Sequence, residues 1–432
     1  MKVSPARAAA FDAVLRIETE DAFSSIILPL VEANLSSNDR SLCHEITLGV
    51  LRRKLYLDHL IDELSNGRKL DAEVRVALRI GLFQMLFLDR VPAHSAINES
   101  VELVLRARKS SAKGFVNALL RNFQREPIDP KYSDTVEEIS VSTSHPRWLV
   151  ERWISRFGID ETRALCESNN RTPILSFRLV GNETEKSETL RELEPNPNLR
   201  RSEFVDGCFA SRIDGDLLKL AEAGRTYFQD EGSQLVANAV RAEGGSQILD
   251  VCAAPGGKTT MIASATNTSV VAGDIRGSRV QRLRDLCEKQ KAANVSIVQY
   301  DAESSLPFDE ASFDSVFVDA PCSGTGTIRH NPEIRYSLAS SDLEELSDKQ
   351  LRILRNASEM VKPGGTLIYS TCSLETEENE AVCERFLREG LGLEPEPPKV
   401  PSRFITSKGF ARTVPQRDDM DGFFIAVFRQ KQ

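Results

Sequence analysis

Apolar positions recur at helical spacing through the first 125 residues, and no run alternates as a strand would. Ala8, Phe11, Val14 and Leu15 form one stripe behind Ser4-Pro5, which offers an N-cap and a proline at the first helical position. Val74, Leu78, Leu82 and Met85 form another, with Asp71 as its expected cap. Ile97, Val101 and Val104 follow Ser95, and a last helix spans 112–123. This pattern predicts a helical bundle. Between 126 and 145, Pro127, Pro130, Asp134 and Ser142-Thr143-Ser144 mark a connector. Amphipathic helices are expected over 147–157 and 161–169, with Trp148 and Trp153 packed.

From Ile174 the period shortens. Strands are predicted at 174–179 and 204–209, with a helix at 185–194 between them, which makes a small α/β piece. Beyond Phe228, strands are predicted at 247–251, 269–274, 296–300, 313–319, 366–370 and 423–428, mostly separated by helices. Such alternation predicts a parallel, doubly wound sheet. The expected architecture is multidomain: an all-α N-terminal bundle over 1–130, a helical linker plus small α/β domain over 146–228, and a C-terminal α/β Rossmann-like domain over 229–432. At 432 residues, two or three domains are the natural division.

Composition narrows the class. With 41% hydrophobic and 28% charged residues, the chain reads as an ordinary globular protein. The most apolar stretch, near 80–88, is broken by Gln84 and closed by Asp89-Arg90, so no membrane association is expected. Met1-Lys2-Val3-Ser4-Pro5 lacks the apolar run of a secretory signal, and a cytoplasmic protein is expected. The eight cysteines contain no C-x-x-C pair, so neither zinc nor any other metal is expected.

The net charge of -9 argues against a nucleic-acid partner only on average. Residues 1–125 carry 18 Lys+Arg against 15 Asp+Glu. Within 101–125 the bases Arg106, Arg108, Lys109, Lys113, Arg121 and Arg125 face one acid, Glu102. A basic surface for phosphates is one reading of this cluster; a solvated helix face is the other.

Four signals carry chemistry. The run Ile248-Leu249-Asp250-Val251-Cys252-Ala253-Ala254-Pro255-Gly256-Gly257-Lys258-Thr259 takes a strand through a small-residue turn into a helix. Its glycines let backbone approach a ligand, and the helix start offers free N–H groups. It matches neither G-x-G-x-x-G nor the Walker spacing. Asp274, Asp301 and Asp319 stand at the ends of the second, third and fourth strands of the C-terminal sheet. An acid after the second strand suits ribose hydroxyls, and one after the third can accept from an adenine amine. Cys322 lies in Asp319-Ala320-Pro321-Cys322-Ser323 and Cys372 in Ser370-Thr371-Cys372-Ser373. Each thiol sits just beyond a strand end. In a sheet whose fourth and fifth strands are neighbours, beside the first, the two could meet over the ligand loop.

Together, Val-Cys-Ala-Ala-Pro-Gly-Gly-Lys, Asp-Ala-Pro-Cys-Ser and Ser-Thr-Cys-Ser resemble the RNA cytosine-C5 methyltransferases of the NSUN/RsmB group. Val91-Pro92-Ala93-His94-Ser95-Ala96-Ile97-Asn98-Glu99, Gly114-Phe115-Val116-Asn117-Ala118-Leu119-Leu120-Arg121 and Asp421-Gly422-Phe423-Phe424 are similar to the RsmB (Sun) branch, so the likeness spans the chain. Gly324 stands where some relatives carry alanine. The resemblance implies a NusB-like RNA-binding N-terminal domain and S-adenosyl-L-methionine as cofactor. It also implies a small-subunit ribosomal RNA substrate. A monomer is expected. It makes Cys372 the nucleophile that adds to cytosine C6, Cys322 the residue that assists release, and Asp319 the group that holds the cytosine N3/amine edge. Cys252, Ala253, Ala254, Pro255, Gly256, Gly257, Lys258, Asp274, Asp301 and Asp319 are then expected at the cofactor, with Arg279 a weaker addition. The polar stretch Arg329-His330-Asn331-Pro332 reads as an RNA contact. A DNA cytosine methyltransferase would use the Pro-Cys thiol with a Glu-Asn-Val-type motif. Here Glu378-Asn379-Glu380 follows Cys372 and starts a helix, and the second loop cysteine favours RNA. The alternatives are another RNA such as tRNA, or a non-catalytic NusB-like RNA-binding module.

Overall fold

Ten amphipathic helices open the chain: α1 (Pro5–Thr19), α2 (Ser24–Glu32), α3 (Ser37–Arg52), α4 (Lys54–Leu64), α5 (Ala72–Phe87), α6 (Ala93–Arg106), α7 (Lys113–Arg125), α8 (Thr135–Thr143), α9 (Arg147–Phe157) and α10 (Ile159–Asn170). The computed structural model describes residues 3–20, 22–212, 215–240, 246–264 and 269–432. The stripes foreseen in α1, α5, α6 and α7 converge on one core, where Val14, Leu78, Leu82, Ile97, Val104 and Val116 are buried.

Several ends differ from the sequence expectation. Ser4 does not cap α1 through its side chain, because its amide and hydroxyl donate to Glu99. Asp71 precedes α5 without capping it, because its carboxylate takes Lys109 at 2.8 Å. Helix α6 begins two residues before Ser95, after Pro92. The stretch expected as a connector contains α8, capped by Asp134, which accepts the Glu137 amide.

The chain forms two compact units. The first comprises residues 1–171 together with 328–340. Inside it, Arg335 is completely buried. Its guanidinium donates to the carbonyls of Thr143 (3.3 Å), Ser144 (3.2 Å) and Asn169 (3.5 Å) and to Asn170 Oδ1 (3.0 Å). Tyr336 donates its hydroxyl to the Leu51 carbonyl at 2.8 Å, and Ser24 donates to Glu333. Burial and the Arg335 charge push His145 well below the usual histidine range, so its imidazole is neutral. Trp153 is fully buried beside it.

The second unit comprises residues 172–327 and 341–432. Its smaller sheet has β1 (Leu175–Leu179), β2 (Arg200–Arg201), β3 (Cys208–Ser211) and β4 (Thr226–Phe228), all antiparallel in the order β2-β3-β1-β4. The expected strand at 204–209 thus lies later, over Cys208–Ser211. The larger sheet has β5 (Gln247–Asp250), β6 (Ser269–Asp274), β7 (Val295–Gln299), β8 (Phe313–Asp319), β9 (Val361–Thr371), β10 (Leu393–Glu396), β11 (Ala411–Arg412) and β12 (Phe424–Gln430). Its order is β10-β12-β9-β8-β5-β6-β7, with β11 paired to β12.

Strands β5 to β9 are parallel, as the alternation predicts. The sheet is mixed rather than wholly parallel, because β12 runs antiparallel to β9 and β10. Central β8 is buried along most of its length, as a strand covered on both faces must be. The neighbours β9-β8-β5 bring the ends of the fourth, fifth and first strands together.

Candidate active site

The site lies within the second unit, at the carboxyl ends of β5, β6, β8 and β9. The turn after β5 is tight. Gly256 has φ +108°, and a Cβ there would come 2.6 Å from Leu283 Cδ1. Only glycine fits both demands. The helix Gly257–Ala263 starts at this turn with no side-chain cap on its first amides.

Three acids stand at the ends of β5, β6 and β7. Asp250 is buried at the end of β5; its Oδ2 accepts the Thr259 hydroxyl at 2.7 Å and its Oδ1 has no partner among the described residues. Burial pushes its carboxyl up to about 7. Asp274, buried at the end of β6, pairs with Arg279 Nε at 3.3 Å. The same guanidinium donates to the Ala254 carbonyl at 2.8 Å, which ties Arg279 to the turn. Asp301, beyond β7, is exposed and accepts the Glu303 amide at 2.9 Å. Of the loop residues, Ala253, Ala254 and Gly256 are buried, Cys252, Gly257 and Lys258 are partly buried, and Pro255 is exposed. Burial raises the Cys252 thiol far above its ordinary range, which makes it inert.

Asp319 joins this cluster to the thiols. Its Oδ2 holds Lys258 Nζ at 2.7 Å, and its Oδ1 accepts the Ser370 hydroxyl at 2.7 Å. Lys258 also stands 4.8 Å from the centre of the Phe423 ring. Burial works against its charge, but Asp319 outweighs it and holds the ammonium above the ordinary lysine range.

Cys322 and Cys372 follow β8 and β9, and their sulfurs are 3.3 Å apart. The contact with Cys372, then burial, raises the Cys322 thiol well above its ordinary range, so Cys322 keeps its proton. The backbone behind them is equally close. Gly326 donates to the Cys372 carbonyl at 2.9 Å, and the Gly422 amide donates to the Gly326 carbonyl at 2.8 Å. A Cβ on Gly326 would lie 2.0 Å from the Gly422 backbone oxygen.

The structure therefore brings the loop, Asp274, Asp319, Cys322 and Cys372 to the carboxyl ends of neighbouring strands, and leaves Asp301 on a more open rim. Arg329 is buried in the first unit, where its carbonyl accepts from Arg52 at 3.0 Å, so its side chain is not offered to solvent as the loop reading supposed. Sequence reasoning passed over Asp250, which reads as an ordinary strand residue until its burial is known. It also passed over Phe423 beside Lys258.

Comparisons with known proteins fit this layout. The NusB family profile matches residues 4–125. A ferredoxin-like domain of RsmF/B-like methyltransferases matches 145–201, and the profile described as 16S rRNA methyltransferase RsmB/F matches 237–429. The probable ribosomal RNA small subunit methyltransferase B of Bacillus subtilis (strain 168) is 32% identical over 100% of both chains. The ribosomal RNA small subunit methyltransferase B of Cronobacter sakazakii (strain ATCC BAA-894) is 31% identical over 98% of each. The crystal structure of PH0851 superposes with a TM-score of 0.85 at 26% identity, covering 100% of both chains. NSun6 from Pyrococcus horikoshii, solved with SFG, shares the fold with a TM-score of 0.59 at 21% identity, covering 66% of this chain and 98% of its own.

Proposed function

Because the chain belongs to the RsmB/F family of 16S rRNA methyltransferases, we propose that it methylates C5 of a cytosine in 16S ribosomal RNA through a covalent bond from Cys372 to C6. The observation that carries this reading is the pair of thiols 3.3 Å apart, beside the Lys258–Asp319 ion pair.

The cofactor is S-adenosylmethionine, and the donor set fits it. Asp274 would take the ribose hydroxyls. The turn at Gly256 packs against Leu283 and Leu286 only because it lacks a Cβ, which fixes the loop that would hold the cofactor. The unpartnered Asp250 Oδ1 is a buried acceptor that needs a donor, which an amino-acid ammonium would supply. Asp301 would accept from the adenine amine, and Arg279 would hold Asp274 and the turn in place. When bound, the cofactor supplies an electrophilic methyl group on a sulfonium.

The chain's own residues do the rest. Cytosine C5 is a poor nucleophile until a thiolate adds at C6 and makes the ring an enamine. Cys372 forms that S–C6 bond, and the displaced electron pair moves towards C5 and the N3/amine edge. Asp319 holds that edge as charge develops there, with Lys258 and Ser370 fixing its two oxygens. Once C5 carries the methyl, its proton must leave so that the S–C6 bond can break and return the electron pair to Cys372. Cys322, protonated at rest, gives its own proton to solvent, takes the C5 proton as a thiolate, and ends the cycle protonated as it began, with Cys372 again a thiolate. The target base must be unstacked for C6 to be reached, so an open loop or strand of the RNA is the substrate region.

The test is product analysis. Protein and labelled cofactor are incubated with transcribed 16S RNA and, separately, with tRNA, and each RNA is digested to nucleosides. Label in 5-methylcytidine is expected. Label only in an N4- or ribose-methylated nucleoside would overturn the assignment, and label in tRNA alone would move the substrate.

A further inference from the structure

One buried carboxylate grips both cysteine loops. Glu378 is completely buried, between β9 and the helix Glu380–Arg388. Its Oε1 accepts the Ser323 amide at 2.8 Å and Gln350 Nε2 at 2.9 Å. Its Oε2 accepts the Ser323 and Ser373 hydroxyls, each at 2.5 Å. Ser323 follows Cys322 and Ser373 follows Cys372. The carboxylate therefore holds the residue next to each thiol, and the two hydroxyls lie 3.1 Å apart.

The donors decide the chemistry of this group. Four hydrogens point at two oxygens, which fills the acceptor capacity of an ionised carboxylate. An amide at 378 would set an N–H against donors. The surroundings hold the clamp rigid. Tyr369 donates its hydroxyl to the Glu378 carbonyl at 2.6 Å, and Gln350 also donates to the Pro321 carbonyl at 3.0 Å. Asn379 takes the Thr371 hydroxyl and donates to the Ser373 carbonyl at 2.8 Å. Burial raises the Glu378 carboxyl, and the bonds from Ser323 and Ser373 pull against that rise.

We propose that Glu378 is a positioning residue whose carboxylate sets the separation of Cys322 and Cys372 for the two halves of the reaction. This rests on the reading that both thiols act on the same cytosine. A residue serving stability alone would need none of its bonds to fall beside the two thiols.

The test uses the full chain and two variants, Glu378→Gln and Ser373→Ala. Two readouts are taken at a temperature well below the melting midpoint of each. One is the rate of the Cys322–Cys372 disulfide formed with diamide, mapped by peptide mass spectrometry. The other is single-turnover methyl transfer at saturating cofactor. Glu378→Gln is expected to slow both by about tenfold or more, the scale of one lost bond to a charged group, with cofactor affinity unchanged. Ser373→Ala keeps three of the bonds and should shift both readouts less, in the same direction. If Glu378→Gln fails to fold, Ser373→Ala alone decides. Wild-type rates in the folded variants, with only a lowered melting midpoint, would overturn the proposal. If disulfide formation slows while wild-type protein makes no 5-methylcytidine, the clamp stands and the catalytic reading falls.

Discussion

The sulfur of Cys322 stands 3.3 Å from that of Cys372, although fifty positions separate them in the chain. Parallel pairing of β8 with β9 creates this closeness, with Asp319 in register with Ser370. The division of labour proposed for the pair makes opposite failures. Cys372→Ala should abolish methylation and form no covalent RNA adduct. Cys322→Ala should still attack and transfer the methyl group, then fail to release. A methylated, covalently bound RNA should then survive denaturing electrophoresis and vanish on RNase digestion. If Cys322→Ala were the dead variant and Cys372→Ala the trapped one, the roles would be reversed.

Asp250 should make the stability of its unit depend on pH. Its carboxyl is raised from 3.8 to about 7 by burial. The folded form therefore holds a proton that the unfolded form releases, and stability falls as pH rises from the unfolded value through the folded one. The shift corresponds to about 4 kcal/mol at most. Asp250→Asn keeps the neutral shape and can still accept from Thr259. Calorimetry of the cofactor-free protein should show the variant gaining on the wild type between about pH 4 and pH 7. A difference independent of pH would show that Asp250 is ionised throughout that range.

Much of this site was legible because strand ends are local signals. The apolar runs over 269–274 and 313–319 stop at acids, and both strands end where the sequence places them. The small-residue turn before Lys258 was equally plain. What escaped depends on distant partners. Asp71 reads as a cap, yet Lys109 claims its carboxylate. The prolines at 127 and 130 suggest a connector, yet Asp134 starts a helix within it. Glu378 reads as a helix start; its role depends on Ser323, fifty-five positions away. No local pattern reveals that residues 328–340, so close in sequence to Cys322, pack with the first unit.

Arg335 holds that segment through carbonyl oxygens, with no carboxylate paired to it among the described residues, so its loss should be costly to the first unit. Arg335→Met would leave the carbonyls of Thr143, Ser144 and Asn169 without this donor. The expected cost is about 2–4 kcal/mol, in the range for breaking a buried charged hydrogen-bond set. Both tryptophans of the chain, Trp148 and Trp153, lie in this unit, so urea unfolding followed by tryptophan fluorescence reads it directly. An unchanged midpoint and slope would show that water or relaxation replaces the donor at no cost.

The basic cluster of the helical unit is smaller than its sequence implies, and this sharpens the expected RNA footprint. Arg106 is committed to Asp12 through two bonds of 2.6 Å, and Lys109 to Asp71 and Glu73. Lys113, Arg121 and Arg125 remain on the exposed side of α7. If these three contact phosphates, each releases counterions when RNA binds, and the logarithm of affinity falls with the logarithm of salt in proportion to their number. Point variants are the right probe, because removing the N-terminal helices would also strip Leu51, whose carbonyl takes the Tyr336 hydroxyl. Lys113→Glu, Arg121→Glu and Arg125→Glu combined should weaken binding of transcribed 16S RNA at low salt and make the salt slope shallower by about 2, with cofactor affinity unchanged. The two binding curves should converge as salt rises. Parallel curves of equal affinity would show that this face of α7 is only solvated, and that RNA is held by other residues.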